Sequence, residues 1–227
     1  MRGRSMVRLQ QIRLFLSILA VATLVVAMDV MIMPILSNLY HLASATAVLA
    51  YDFSIMLVAG LAGLLLARRI DCPVWWRQGR GPSPSHRADY VIVLLGLCIV
   101  ILNALNNIVN IEQARQIAPW MALLTPETAI ALSFRAALNE ETIFRLFLFS
   151  LVAWIAMRLV GSRRVSLVLG ALVSALVFGL IHGVGFVLAF SFGLAFAYMY
   201  FRRGLLAVMT VHFLANAIPF VVVSAMV

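Results

Sequence analysis

Apolar runs long enough to cross a bilayer, about 20 residues for a helix, recur along the whole chain, each closed by a polar or turn-forming break. Seven such spans are predicted, at roughly 14–36, 46–67, 90–110, 128–157, 165–182, 185–201 and 204–223. The expected fold class is therefore all-α, a polytopic membrane helical bundle of about seven transmembrane helices. The first run follows Arg2, Arg4, Arg8 and Arg13 and has the look of a secretory leader. Its apolar part continues to Leu36, too long for a cleaved segment, so it is read as a retained anchor. The chain carries no internal repeat.

Composition agrees with the pattern. Of 227 residues, 64% are hydrophobic and only 11% charged, against about 25% charged in a soluble domain. The 17 basic residues are all arginine and outnumber 8 acidic ones, a net charge of +9 that invites a nucleic-acid reading. Position excludes it. Fourteen arginines fall in the amino-terminal tail (Arg2, Arg4, Arg8, Arg13), the break after the second span (Arg68, Arg69, Arg77, Arg80, Arg87) and two later breaks (Arg158, Arg163, Arg164; Arg202, Arg203). Alternating spans bring all of these to one face, which the enrichment of arginine in cytoplasmic loops makes the cytoplasmic one. The charge thus reports a cytoplasmic amino terminus and contact with anionic membrane lipids as partners, with no nucleic acid.

The opposite breaks are the uncharged Ser37–Ser44 stretch, the segment around Glu112 and Arg115, and a tight Gly183–Gly185 turn. Arginine without a single lysine points to a GC-rich genome and a bacterial cell membrane. Asp71–Asp89, rich in Pro, Arg and Trp, reads as a cytoplasmic loop with Trp75 and Trp76 at the headgroup level. Cys72 in that loop and Cys98 inside an apolar run form neither a disulfide framework nor a zinc ribbon. The Glu112–Pro126 break divides the chain into an amino-terminal membrane region, 1–125, with three spans, and a region 126–227 with four.

An ionisable side chain near mid-span costs about 2.5–3.5 kcal/mol on insertion scales, so each one needs a reason. Asp29 and Asp52 stand alone in the first two spans, and Asn103, Asn106, Asn107 and Asn110 close the third; interhelical hydrogen bonding or an interfacial position accounts for them. The last hundred residues differ. In the fourth span Glu140 and Glu141 precede Arg145, with Glu141 and Arg145 in the favourable i, i+4 order for an ion pair. In the fifth, Phe178 and His182 share a face; in the seventh, His212 and Asn216 do. If Glu141 and Arg145 neutralise each other, Glu140 is left to accept and return a proton. His182 can share a water with it, and His212 and Asn216 supply donors for a tetrahedral oxyanion. Those are the parts for adding water to an amide inside a membrane.

In order and context the three motifs, Glu140-Glu141-x-x-x-Arg145, Phe178-x-x-x-His182 and His212-x-x-x-Asn216, resemble the signature of the CAAX-protease and bacteriocin-processing family of intramembrane endopeptidases, which includes the type II prenyl-protein peptidases. Phe190-x-x-Gly193 resembles an intervening element of that family, and Gly204 stands eight residues before His212 as in similar sequences. Leu146 departs from the Gly often found after the motif arginine, and Ala197, four after Gly193, keeps a small-xxx-small contact. The resemblance covers about residues 126–222.

It implies that Glu140 and His182 activate water, that His212 and Asn216 stabilise the oxyanion, and that Glu141, Arg145 and Phe178 support the site. The substrate would be a peptide or membrane protein, prenylated or carrying a leader. No cofactor is expected; the alternative is zinc on Glu140, His182 and His212, although the chain has no HExxH spacing. A non-proteolytic membrane scaffold or an immunity or regulatory protein of the same fold is the other functional reading. A transporter is disfavoured by the lack of a repeat or of paired broken helices.

Depth raises one difficulty. At about 1.5 Å per residue, Glu140 lies roughly 27 Å from Arg158 and His182 roughly 27 Å from Arg164, but His212 only about 13 Å from Arg203. Tilted or broken fourth and fifth helices, or arginines at more than one level, would reconcile these figures. The fourth span is also long, which leaves an interfacial segment over residues 128–138, with Arg135, as the alternative to a continuous helix. A water-filled cavity reaching the site is expected, its side of opening left open.

Overall fold

Lipid offers no partner for backbone N–H and C=O groups, so each apolar run must close its own hydrogen bonds as a helix. The computed structural model describes residues 2–40, 44–76 and 86–226, in which every run does so. Arg77 and Arg80 of the arginine-rich loop lie outside the described residues.

The elements are α1 (Arg2–Met31), α2 (Met33–Tyr40), α3 (Ala45–Arg69), α4 (His86–Val109), α5 (Ile111–Ile117), a 3₁₀ turn (Pro119–Leu123) and α6 (Pro126–Glu141). A π-helical segment (Thr142–Phe149) joins α6 to α7 (Ser150–Val160). Then come α8 (Arg163–Ile181), a 3₁₀ turn (Gly183–Gly185), α9 (Phe186–Arg203) and α10 (Leu205–Ser224). Seven stretches are long and apolar enough to cross a membrane: Gln11–Met31, Ala45–Arg69, Asp89–Val109, Pro126–Val160, Arg163–Ile181, Gly183–Arg203 and Leu205–Ser224. The chain is an all-helical, multi-pass integral membrane protein.

Local chemistry sets the boundaries. The first run turns at Ile32, two residues before Pro34, and resumes as α2, so the 14–36 span is not one helix. The Glu112–Pro126 break holds a short helix and a 3₁₀ turn. Thr125 caps α6 in a reciprocal box with Thr128, and Pro126 occupies the first helical position. The Trp75 indole N–H donates to Ser17 Oγ at 2.8 Å and ties the α3–α4 connection to α1.

The long α6–π–α7 rod is the axis of the bundle. α1 and α10 pack on α6, α3 on the π segment, α8 on α7 and α9, and α4 on α10. Gly63 of α3 permits a close backbone approach: a Cβ there would sit 2.7 Å from the Leu146 carbonyl, and Leu146 is fully buried. The small-residue contact expected at Gly193 is present, with Ala175 of α8 3.0 Å from the place of its missing Cβ.

One expectation about charge is corrected and another is met. Residues 128–138 are no interfacial segment; they continue the rod, and Arg135 is buried. Asp29 and Asp52 make the interhelical bonds expected of them, both carboxylates binding the Arg135 guanidinium, Asp29 through Nε and Asp52 through Nη2. One buried cation thereby fastens α1 and α3 to α6.

The depth difficulty resolves through the packing. Phe196 stacks on His212 with ring centroids 5.2 Å apart, and Phe178 lies 6.5 Å from Phe196, so the three share a level. Phe196 is seven residues from Arg203, about 10 Å, whereas Phe178 is fourteen from Arg164, about 21 Å. The rings that meet at the site are thus half as far along α9 from its arginines as along α8 from its own, and the mismatch belongs to where each helix touches the site.

Replacing Arg135 by Met should lower unfolding stability in detergent by about 3–5 kcal/mol, the cost of stranding buried carboxylates. Adding Asp29→Asn and Asp52→Asn should recover most of it. Denaturant titration of the single and triple variants measures both.

Candidate active site

The ends of α6 and α8 and the middle of α10 bring the polar residues together. Glu140 and Glu141 end α6, and the π segment beginning one residue later carries Arg145, a helix distortion of the kind common at functional sites. His182 caps α8, with its Nδ1 2.7 Å from the Phe178 carbonyl and its ring 4.5 Å from the Phe178 ring. On α10 the register is set by Gly204. Its φ of 98° is left-handed, and the Trp75 carbonyl comes within 2.7 Å of where a Cβ would project. The Leu205 and Leu206 N–H groups donate to the Val74 and Trp75 carbonyls at 2.9 and 3.1 Å, capping α10 at a fixed distance before His212 and Asn216.

Glu140, His182, His212 and Asn216 line one cavity of about 760 Å³, whose remaining walls include Phe192, Phe196 and Phe220. Glu140 Oε2 stands 4.0 Å from His182 Nε2 and 3.7 Å from His212 Nε2, separations that one water molecule can bridge. Both imidazoles are oriented from behind. Nδ1 of His182 donates to a backbone carbonyl, and Nδ1 of His212 to Glu141 Oε1 at 2.7 Å, which turns both Nε2 atoms toward Glu140.

Glu141 is more than a local partner of Arg145. It bridges Arg145 Nε, 3.2 Å from Oε2, and His212, so the anticipated ion pair also holds the seventh span. Arg145 is wholly enclosed, with its guanidinium carbon 4.7 Å from the centre of the Phe178 ring and 5.6 Å from that of Phe196. Phe178 thus covers the buried cation on one side and touches His182 on the other. All seven residues singled out in the three motifs meet here, with Glu140 and His182 open to the cavity and Glu141 and Arg145 sealed behind them.

A sequence model of type II CAAX prenyl endopeptidase Rce1-like proteins matches residues 120–218, a stretch that contains all three motifs. This segment belongs to the Rce1-like CAAX endopeptidase family. No curated protein and no solved structure matches the chain.

The Rce1-like segment does not enclose the cavity by itself. Asn103, Asn106 and Asn107 of α4, outside the match, line it too. Asn103 makes the interhelical bonds expected of these amides, to α10, but its place at the cavity was missed. The available signal was four asparagines closing an otherwise apolar span. As for zinc on Glu140, His182 and His212, no group of three His, Cys, Asp or Glu side chains spaced to hold a metal ion occurs among the described residues.

The burial difference between the two glutamates is testable. Glu141→Gln strands Arg145 and should cost about 3–5 kcal/mol. Glu140→Gln, at a half-buried position facing the cavity, should stay within about 0.5 kcal/mol of the parent. Thermal and denaturant unfolding in detergent would separate them.

Proposed function

We propose that the protein is an intramembrane endopeptidase that hydrolyses a peptide bond of a membrane-associated substrate, using water activated by Glu140 and His182. The observation that carries this reading is the approach of Glu140 Oε2 to two imidazole nitrogens, at 4.0 and 3.7 Å, inside a cavity of peptide-binding size. Glu140 takes a proton from water held by His182 Nε2, and the hydroxyl oxygen attacks the scissile carbonyl. The resulting oxyanion receives hydrogen bonds from protonated His212 Nε2 and from the Asn216 amide. Glu140 then passes its proton to the amide nitrogen as the C–N bond breaks. In this reading Nε2 of His212 serves the oxyanion and the reaction needs no resident metal.

Topology supports one side of access to the site. The arginine clusters support a cytoplasmic amino terminus. The cavity rim includes Ala118, Trp120 and Gly185, at the end of the bundle opposite the arginine-bearing α7–α8 and α9–α10 junctions. The substrate therefore comes from the non-cytoplasmic face, as a leader-type peptide or an exposed segment of a membrane protein.

Glu140→Ala and His182→Ala should each abolish a membrane-peptide cleavage seen with the parent, without loss of folded protein, and 1,10-phenanthroline should leave that cleavage intact. Full activity in both variants would refute the assigned pair; a cellular phenotype that survives Glu140→Gln would favour a scaffold. For orientation, Val184→Cys and Ser162→Cys in a Cys72→Ser, Cys98→Ser background can be probed on intact cells with an impermeant maleimide. Val184→Cys should label and Ser162→Cys should not; the reverse would place the cavity on the cytoplasmic face.

A further inference from the structure

Pro219 lies inside α10, where it has no N–H to give the carbonyl four residues earlier, that of Ala215. A carbonyl left open within a lipid-embedded helix needs a donor from elsewhere. Asn103 of α4 provides it: its Nδ2 lies 2.8 Å from the Ala215 oxygen and 3.4 Å from Asn216 Oδ1. Asn107 Nδ2 in turn donates to the Asn103 backbone carbonyl at 2.8 Å and faces Asn103 Oδ1 at 3.4 Å.

The direction of these bonds is fixed by chemistry. A backbone carbonyl only accepts, so the Asn103 atom facing Ala215 must be the NH₂ group. That group has a second hydrogen, and the Asn216 atom beside it must be the acceptor, Oδ1. The Asn216 NH₂ is thereby turned away from α4. Asn216 lines the cavity, so its remaining amide group is a donor there, as an oxyanion site needs.

We propose that Asn103, on a span outside the Rce1-like segment, is the positioning residue for Asn216. It holds the Asn216 amide in the one rotational state that presents N–H to the oxyanion, and Pro219 opens the carbonyl that anchors Asn103 itself. This inference rests on the endopeptidase reading above, and on Asn216 as an oxyanion donor within it.

The test uses the full chain in liposomes and a peptide that the parent cleaves. Asn103→Asp keeps the shape and removes both donors. It should lower kcat at least about tenfold, as loss of a partner that orients a functional side chain does, and leave KM unchanged. Asn216→Ala should lower kcat by about 10²–10³, and adding Asn103→Asp to it should cost nothing more. Pro219→Ala returns a helical N–H to Ala215, so in the Asn103→Asp background it should restore the thermal midpoint and not kcat. That pairing also covers the event that Asn103→Asp alone folds poorly. Parental kcat in Asn103→Asp, multiplicative losses in the double variant, or recovery of kcat by Pro219→Ala would each overturn the proposal while leaving the endopeptidase reading in place. A parent that cleaves no membrane peptide would overturn that reading and this inference with it.

Discussion

A guanidinium with no access to water must be matched by a carboxylate and enclosed by groups that tolerate charge, and Arg145 imposes this condition on the centre of the bundle. Glu141 meets it with one oxygen and holds His212 with the other. Phe178 and Phe196 present ring faces to the cation, and the same two rings pack on His182 and His212. Four spans are thereby committed to one another through a single charge. Glu140, the adjacent residue but on a different side of the helix, is left facing the cavity. The division between a carboxylate that holds the structure and one available for chemistry follows from their offset of about 100°.

The second buried cation works differently. Arg135 gathers Asp29 and Asp52 from the first two spans, so its contribution is to hold α1 and α3 against the rod that carries the site. Together the two arginines explain how a chain with so few charges supports a polar centre: Arg135 is answered by carboxylates from two other helices, and Arg145 by Glu141 four positions before it on the same rod. The packing of α3 on the π segment and of α4 on α10 makes the amino-terminal spans part of the same body as the Rce1-like segment.

Much of this was legible in the residues. Apolar length located seven spans to within a few positions, and intrahelical spacings of four named the residues that meet at the cavity. Spacing within one helix is a local property, readable without knowing which helices touch. Arg135 was opaque for the converse reason. Its partners lie 83 and 106 positions away, and no periodicity connects them. The π segment has no residue signature in Thr142–Phe149, and it arises where Leu146 is pressed against α3. The depth mismatch was a real signal, and only inter-helix contacts could show at which point along each helix the site is met.

The contact between Gly63 and Leu146 carries a further implication. Sequences resembling this one often keep a glycine after the motif arginine, whereas here the bulk sits on that helix and the space for it on α3. The volume available at this crossing is shared by the two helices, so bulk on one requires its absence on the other. Seen within the matched segment alone, Leu146 is an oddity. Paired with Gly63 it fits, and a hybrid that joined this carboxy-terminal half to an α3 with a larger residue at position 63 would bring two full-sized surfaces into one gap.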